Sequence, residues 1–198
     1  MIDIERQKKN FRNHIATLTD YGNVKILDFK NPESSNYRIR FLFEEDYYRL
    51  HISGDLGELI ATNYKNMCYE GFKDFVHNTG YFEEKIDCHS RRIYEFDEDK
   101  AREELEEMAE DNSWLLISDD YDYLDTEEER IESIIDDILD DFSESEGISQ
   151  SGYEKLEEFE DDAWEFAYDL GKEPTGILEL YMLAFEMAQE QLKEQNNE

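Results

Sequence analysis

The sequence of this 198-residue chain predicts an α+β protein. Its first half reads as an N-terminal helix and an antiparallel meander of about four strands with a short helix. Apolar and polar residues alternate from Tyr37 to Phe43, which is typical of a half-buried strand. Short turn segments separate this strand from similar neighbours, which favours antiparallel pairing. From Asp97 onwards the apolar residues recur at helical spacing, which predicts an acidic helical C-terminal half.

The first half contains seven predicted elements. Residues 2–18 place Ile4, Phe11, Ile15 and Leu18 at helical spacing. Four strand-like runs follow: NVKILDFK, NYRIRFLFEE, YYRLHISG and ELIATNY, with turns at residues 44–46 and 54–57. Residues 68–78 predict a short helix, and RRIYEF at 91–96 predicts an edge strand.

The second half predicts a series of helices. Residues 97–112 have few apolar positions and resemble a solvated helix, and the run WLLIS at 114–118 is short and buried. Thr126 and Glu129 form a T-x-x-E capping box before a helix whose isoleucines share one face. Residues 143–152 are a candidate hinge, and a further helix covers 153–170 before Gly171. The apolar helix at 176–192 is expected at the centre of this half.

Charge is distributed very unevenly along the chain. The net charge is −33, yet residues 1–102 hold 16 Lys and Arg against 19 Asp and Glu, a net of −3. Residues 103–198 hold 4 Lys and Arg against 34 Asp and Glu, a net of −30. Adaptation to high salt would spread acidity over the whole surface, so this class is excluded. We therefore expect a near-neutral α+β domain at 1–102 and a strongly acidic helical domain at 103–198, whose charge serves a partner.

The sequence carries no motif for catalysis, metal binding or membrane insertion. Asp120 and Asp122 begin like a calcium loop, but Leu124 and Asp125 occupy the next ligand position and the glycine position. The four histidines and two cysteines lack zinc-finger spacing, and no phosphate-binding loop occurs. We therefore expect no cofactor, no enzymatic activity and no membrane association. Two cysteines without a disulfide framework favour a reducing cytoplasm.

Two stretches of the acidic half have a charge spacing close to that of DNA. Residues 125–142 hold nine acids and Arg130, and as a helix they would span roughly 27 Å. This corresponds to one net charge per roughly 3.4 Å, the spacing along one strand of duplex DNA. Residues 153–170 hold eight acids and Lys155 over a similar length. A helix exterior of mixed charge gains from Glu–Lys pairs, and these two stretches forgo that stabilisation.

The acidic residues that point away from the apolar faces are the candidate partner-binding residues. On the first stretch and the loop before it they are Asp119, Asp120, Asp122, Glu129, Asp136, Asp137 and Asp140. On the second stretch they are Glu154, Glu158, Asp161, Asp162, Glu165 and Asp169. Tyr121, Tyr123, Tyr153 and Trp164 are candidate aromatic anchors, and for Trp164 a core position is the better interpretation.

A compact, strongly acidic protein with carboxylate-lined helices resembles the phage-encoded DNA mimics, which include anti-restriction and anti-CRISPR proteins. The resemblance lies in the composition of residues 103–198. It implies an inhibitor that occupies the basic DNA channel of a host CRISPR-associated or restriction nuclease, without binding nucleic acid itself. One alternative is an acidic module for another basic partner, such as a transcription or replication factor. The other is an enzyme with a carboxylate-bound metal.

The role of the first half is left open between a scaffold, a homodimer surface and a second contact with the partner. Its basic residues are too few to predict nucleic-acid binding. They are Lys8, Lys9, Arg12, Arg38, Arg40 and Arg49.

Overall fold

The structure is a computed structural model that describes residues 2–112, 114 and 126–197. It confirms the α+β class. The chain forms two compact units. The first unit combines residues 1–93 with residues 175–198, and the second unit is the intervening segment, residues 94–174.

The first unit is built on a six-stranded antiparallel meander in which each strand pairs with the next one along the chain. The helix α1 (Ile4–Phe11) precedes the sheet, and α2 (Thr79–Glu83) precedes its last strand. The strands are β1 (Ile15–Asp20), β2 (Val24–Lys30), β3 (Ile39–Glu44), β4 (Arg49–Gly54), β5 (Leu59–Thr62) and β6 (Ile86–His89).

The sheet contains two strands, β1 and β6, in addition to the four that the sequence predicts. Residues 15–20 form β1 rather than the end of a helix, because α1 ends at Phe11 and a turn follows, closed by the His14 N–H donating to the Phe11 carbonyl. Alternating Ile15, Thr17 and Thr19 then suit a strand. Residues 68–78 form a single 3₁₀ turn at Phe72–Asp74, and α2 lies just beyond it.

The last helix, α6 (Ile177–Asn197), belongs to the first unit and not to the acidic one. Phe185 anchors it, because its ring lies 4.8 Å from that of Phe72 and 5.4 Å from that of Phe41, between ring centroids. Both partners are fully buried. The predicted burial of residues 176–192 is therefore confirmed, but their predicted position at the centre of the acidic half is wrong, because the helix packs on the meander.

The second unit begins and ends with a two-stranded ribbon, β7 (Tyr94–Phe96) paired with β8 (Lys172–Pro174). The residues predicted as an edge strand of the meander form β7 instead. Between the ribbon strands lie α3 (Glu98–Asn112), α4 (Glu127–Ile138) and α5 (Gln150–Leu156). Buried residues from all three helices and from the following turns form one hydrophobic cluster, which includes Leu105, Trp114, Ile134, Ile138 and Leu156.

The predicted helix at 153–170 is wrong. Helix α5 ends at Leu156, and the rest of the segment forms two 3₁₀ turns at Ala163–Glu165 and Ala167–Asp169. Five acids follow α5 between residues 157 and 162. Carboxylates are unfavourable at a helix C-terminus, and aspartate is a poor helix former. The apolar residues at helical spacing still reach the core, since Phe159, Ala163 and Ala167 are buried.

The units divide the chain at residues 93/94 and 174/175, whereas the sequence suggested one boundary near residue 102 and a hinge at 143–152. Residues 143–152 lie inside the second unit. They form a tight turn in which Ser143 and Gly147 exchange two backbone hydrogen bonds, of 3.0 and 2.8 Å, followed by the first turn of α5.

Gly152 sets how closely α5 approaches α4. It is buried, and a Cβ atom there would overlap with the carbonyl oxygen of Ile138. Only glycine permits this approach, which holds the C-terminal end of α4 against α5.

We expect Gly152→Ala to lower the free energy of unfolding of the second unit by about 1–3 kcal/mol, because the new methyl group forces the two backbones apart. Both tryptophans of the chain, Trp114 and Trp164, belong to this unit, so tryptophan fluorescence during urea denaturation follows its unfolding. Ser151→Ala, at an exposed position of the same helix, is the matched control and should change stability by less than about 0.5 kcal/mol. Equal stability of both variants would contradict the close approach.

Candidate protein-interaction surface

The net charge of the chain lies almost entirely on the second unit. Residues 94–174 hold 5 Lys and Arg against 33 Asp and Glu, a net charge of −28. The first unit holds 15 Lys and Arg against 20 Asp and Glu, a net of −5. The second unit therefore carries more negative charge per residue, −28 on 81 residues, than the second half of the sequence, −30 on 96 residues.

All the candidate partner-binding residues that the structure describes are exposed. They are Glu129, Asp136, Asp137, Asp140, Glu154, Glu158, Asp161, Asp162, Glu165 and Asp169. Asp119, Asp120 and Asp122, with Tyr121 and Tyr123, lie outside the described residues.

Helix α4 carries the first group of candidates, and its start is confirmed as predicted. The Thr126 hydroxyl accepts a hydrogen bond from the Glu129 N–H, and the Glu129 carboxylate accepts one from the Thr126 N–H. Ile134, Ile135 and Ile138 are buried, so Glu129 and Asp136 face away from the core.

Helix α4 is shorter than the predicted acidic stretch, because it ends at Ile138 and Asp141 then adopts a left-handed conformation with φ of 60°. Its 12 residues span roughly 18 Å. They hold six acids and Arg130. This is one net charge per about 3.6 Å, which keeps the spacing of a DNA strand.

The second acidic helix beside α4 is α3, for which the sequence predicts only a solvated helix. The Arg102 side chain donates to the Asp136 carboxylate over 2.8 Å and so links the exposed sides of the two helices. The 15 residues of α3 hold eight acids and two bases. Over roughly 22 Å this gives one net charge per about 3.8 Å.

The sequence feature that could have identified α3 as part of the acidic surface is a row of like charges four residues apart. Asp99, Glu103 and Glu107 form such a row on α3, and all three are exposed. On α4 the corresponding row is Glu128, Glu132 and Asp136. Like charges at this spacing repel and destabilise a helix, so a sequence that keeps two such rows gives up stability.

The candidates at 154–169 do not form one helical row. Glu154 lies on α5, Glu158 follows the end of that helix, and Asp161, Glu165 and Asp169 lie in the turn segments. The prediction of a second continuous acidic rod over these residues is therefore wrong. Their carboxylates are nonetheless exposed, and they extend the acidic surface beyond α3 and α4.

Cations of the second unit are already engaged in pairs within it. Lys155 lies 2.7 Å from Glu158, Lys172 lies 2.6 Å from Asp169, and Lys100 lies 3.3 Å from Glu173, measured from nitrogen to carboxylate oxygen. By contrast, Glu103, Glu107, Glu132, Asp140, Asp161, Asp162 and Glu165 have no side-chain partner among the described residues. These carboxylates are free to meet an external cation.

Two large aromatic side chains are exposed among these acids. Trp164 is 64% exposed and Tyr168 is 51% exposed, so the interpretation of Trp164 as a core residue is wrong. The Tyr153 ring stacks on Tyr168 with centroids 5.3 Å apart, and its hydroxyl donates to Glu157 over 2.6 Å. This hydrogen bond to Glu157 raises the pKa of the Tyr153 hydroxyl to about 12. Exposed tryptophan and tyrosine are the residue types enriched at binding hot spots.

No protein-family model, curated protein or solved structure matches this chain. Among the described residues, no group of three or more His, Cys, Asp or Glu side chains is placed to hold a metal ion. Across the same part of the chain, no helix combines the length and the apolar composition that crossing a membrane requires.

We expect Glu103→Lys and Glu132→Lys each to raise the free energy of unfolding of the second unit, by on the order of 1 kcal/mol. Each substitution converts two repulsive pairs, with the residues four positions before and after it, into attractive pairs. Urea denaturation followed by tryptophan fluorescence measures the change.

The corresponding Glu→Gln variants are the control, because they remove the repulsion without adding attraction. They should gain roughly half as much stability. A loss of stability in the lysine variants would show that these carboxylates are held by interactions within the fold.

Proposed function

We propose that the protein inhibits a DNA-targeting nuclease of a bacterial defence system, of the CRISPR-associated or restriction type, by acting as a DNA mimic. The second unit is the inhibitory surface, and it occupies the basic groove in which the nuclease binds DNA. The observation that carries the proposal is the separation of charge: −28 on the second unit against −5 on the first.

The arrangement of the acids supports a mimic over a generally acidic protein. The net charge of α3 and of α4 keeps a spacing along each helix axis near that of a DNA strand, and Arg102 links the two helices. The unit also has its own hydrophobic core, so its carboxylates are presented from an ordered scaffold. A preordered array pays less conformational entropy on binding than a disordered acidic tail would.

The mechanism is competitive binding. Carboxylates such as Glu103, Glu132 and Asp140 take the places that phosphates occupy against Lys and Arg side chains of the groove. Opposite charge steers the encounter and accelerates association. Trp164 and Tyr168 add contact area that charge alone does not supply. Binding should therefore weaken with added salt, and excess duplex DNA should displace the protein.

The alternative partner is a basic protein of another class, such as a transcription or replication factor. The acidic surface by itself fits either class, and elution with duplex DNA followed by a cleavage assay separates them. The protein is immobilised, bacterial lysate is applied, and bound proteins are eluted with duplex DNA. The eluted protein is then purified, and its DNA cleavage is measured with and without the inhibitor. If the eluted proteins bind DNA but the inhibitor does not change DNA cleavage by any of them, the result would favour a transcription or replication factor as the partner.

We expect the triple variant Glu103→Lys, Glu132→Lys, Asp140→Lys to lose inhibition, with affinity for the nuclease lowered by about 100-fold or more. All three side chains are exposed and lack partners among the described residues, so their replacement leaves the ion pairs of the fold intact. Affinity is measured by titration at low salt, and inhibition by the rate of DNA cleavage.

The matched control places the same change of net charge on the first unit, as Glu33→Lys, Asp74→Lys, Glu190→Lys. These side chains are also exposed. The control should alter affinity by no more than about threefold, because it changes only long-range steering. Equal loss in the two triple variants would mean that net charge, and not the surface of the second unit, determines inhibition.

A separate prediction concerns Trp164. We expect Trp164→Ala to lower affinity by about 10-fold or more while the dependence of affinity on salt stays unchanged, because the indole contributes contact area and no charge. Titrations at several salt concentrations measure both quantities. A changed salt dependence at unchanged affinity would exclude the side chain as an anchor.

A further inference from the structure

The strand β1 lies at one edge of the meander, and the direction of its backbone groups can be assigned. The Tyr21 N–H donates to the Val24 carbonyl over 2.9 Å at the hairpin that joins β1 to β2. Hydrogen-bonded and non-hydrogen-bonded positions alternate along an antiparallel pair. The odd-numbered residues of β1 therefore bond to β2, and Ala16, Leu18 and Asp20 direct their N–H and C=O groups outward.

A side chain of α6 satisfies only the beginning of this edge. Gln191 accepts a hydrogen bond from the Ala16 N–H and donates to the His14 carbonyl over 3.1 Å. Its carboxamide thus takes the place of a peptide group in a neighbouring strand. The Ala16 carbonyl, both backbone groups of Leu18 and the Asp20 N–H have no partner among the described residues.

The opposite edge of the sheet is protected in a way that β1 is not. The edge strand β6 has only four residues, contains the charged Asp87 and pairs with β5 through an irregular register at Ile60 and Ala61. Short, charged and irregular edges resist pairing with another strand. The strand β1 has six residues in regular register and carries no charge before Asp20.

We propose that β1 is a dimerisation edge, on which a second copy of this chain pairs in antiparallel orientation about a two-fold axis at Leu18. In this register Leu18 exchanges two backbone hydrogen bonds with Leu18 of the second copy. The Asp20 N–H of each copy donates to the Ala16 carbonyl of the other. The Asp20 carbonyl of each copy faces the Ala16 N–H of the other, so pairing displaces the Gln191 carboxamide from that N–H.

The side chains of β1 are self-complementary in this register. Thr17 lies opposite Thr19 of the second copy in a non-hydrogen-bonded pair, where side chains are closest, and Thr–Thr pairs are favourable there. Asp20 lies opposite an alanine and not opposite another acid. Leu18 meets its own copy on the core side, beside a groove of about 720 Å³ between β1 and α6 that Leu192 and Tyr69 help to line.

The charge of the first unit permits this pairing. It is −5 over 117 residues, so two first units repel far less than two second units would. Residual repulsion between copies of a protein of net charge −33 is screened by salt. Dimerisation should therefore strengthen with salt, whereas binding of a basic partner should weaken. The two associations involve different surfaces, so either can fail while the other holds.

The test is sedimentation equilibrium of the full chain over a range of concentrations at low and high salt. The expected result is a monomer–dimer equilibrium that shifts toward the dimer as salt is added. Thr17→Lys with Thr19→Lys places like charges opposite each other twice across the axis, and should raise the dimer dissociation constant by about 10-fold or more.

The matched variant Thr17→Lys with Thr19→Glu places opposite charges at the same two pairs, and should dimerise at least as tightly as the unaltered chain. Circular dichroism confirms that both variants fold. A chain that stays monomeric at every protein and salt concentration would overturn the proposal. This holds even if β1 were then found to pair with a strand of another protein. Equal dissociation constants for the two variants would overturn the register centred on Leu18.

Discussion

The second unit depends on a balance between a hydrophobic core and the mutual repulsion of the charges around it. A net charge of −28 on 81 residues opposes compaction, and the like-charge rows on α3 and α4 add a cost of about 0.2–0.5 kcal/mol for each pair four residues apart. Burial of apolar side chains in one hydrophobic core offsets this repulsion. These side chains include Leu105, Trp114, Ile134, Ile138 and Leu156. Helix α4 has both roles, since its isoleucines supply the core while its carboxylates supply the repulsion.

The few cations of this unit hold its parts together. Arg102 joins α3 to Asp136 on α4, Lys100 reaches Glu173 on β8, and Lys155 and Lys172 each pair with an acid three residues away. Exposed pairs of this kind contribute little individually. In this unit they also neutralise three of the exposed candidate acids, Asp136, Glu158 and Asp169. The acids without a partner are therefore the ones left to face an external cation.

The sequence predicted the features that depend on local chemistry. Three such features were predicted correctly, because each depends on neighbours within a few residues. They are the alternation in β3, the capping box of Thr126 and Glu129, and the buried isoleucines of α4. Features that depend on distant contacts were not. Nothing local shows that Phe185 of α6 packs against Phe41 and Phe72, more than 100 residues earlier in the sequence. The apolar spacing of 153–170 matched a helix equally well, although its residues reach the core from turns.

The same distinction applies to the candidate surface. Exposure of the acids followed from their positions opposite apolar residues, and for every described candidate the structure agrees. The partner of α4 did not follow, because adjacency of α3 is a tertiary contact made through Arg102. An array built from two packed helices differs from two separate rods in one respect that bears on function. Packing fixes the separation of the two charge rows, and a groove lined with Lys and Arg can recognise a fixed separation, whereas net charge alone carries no such information.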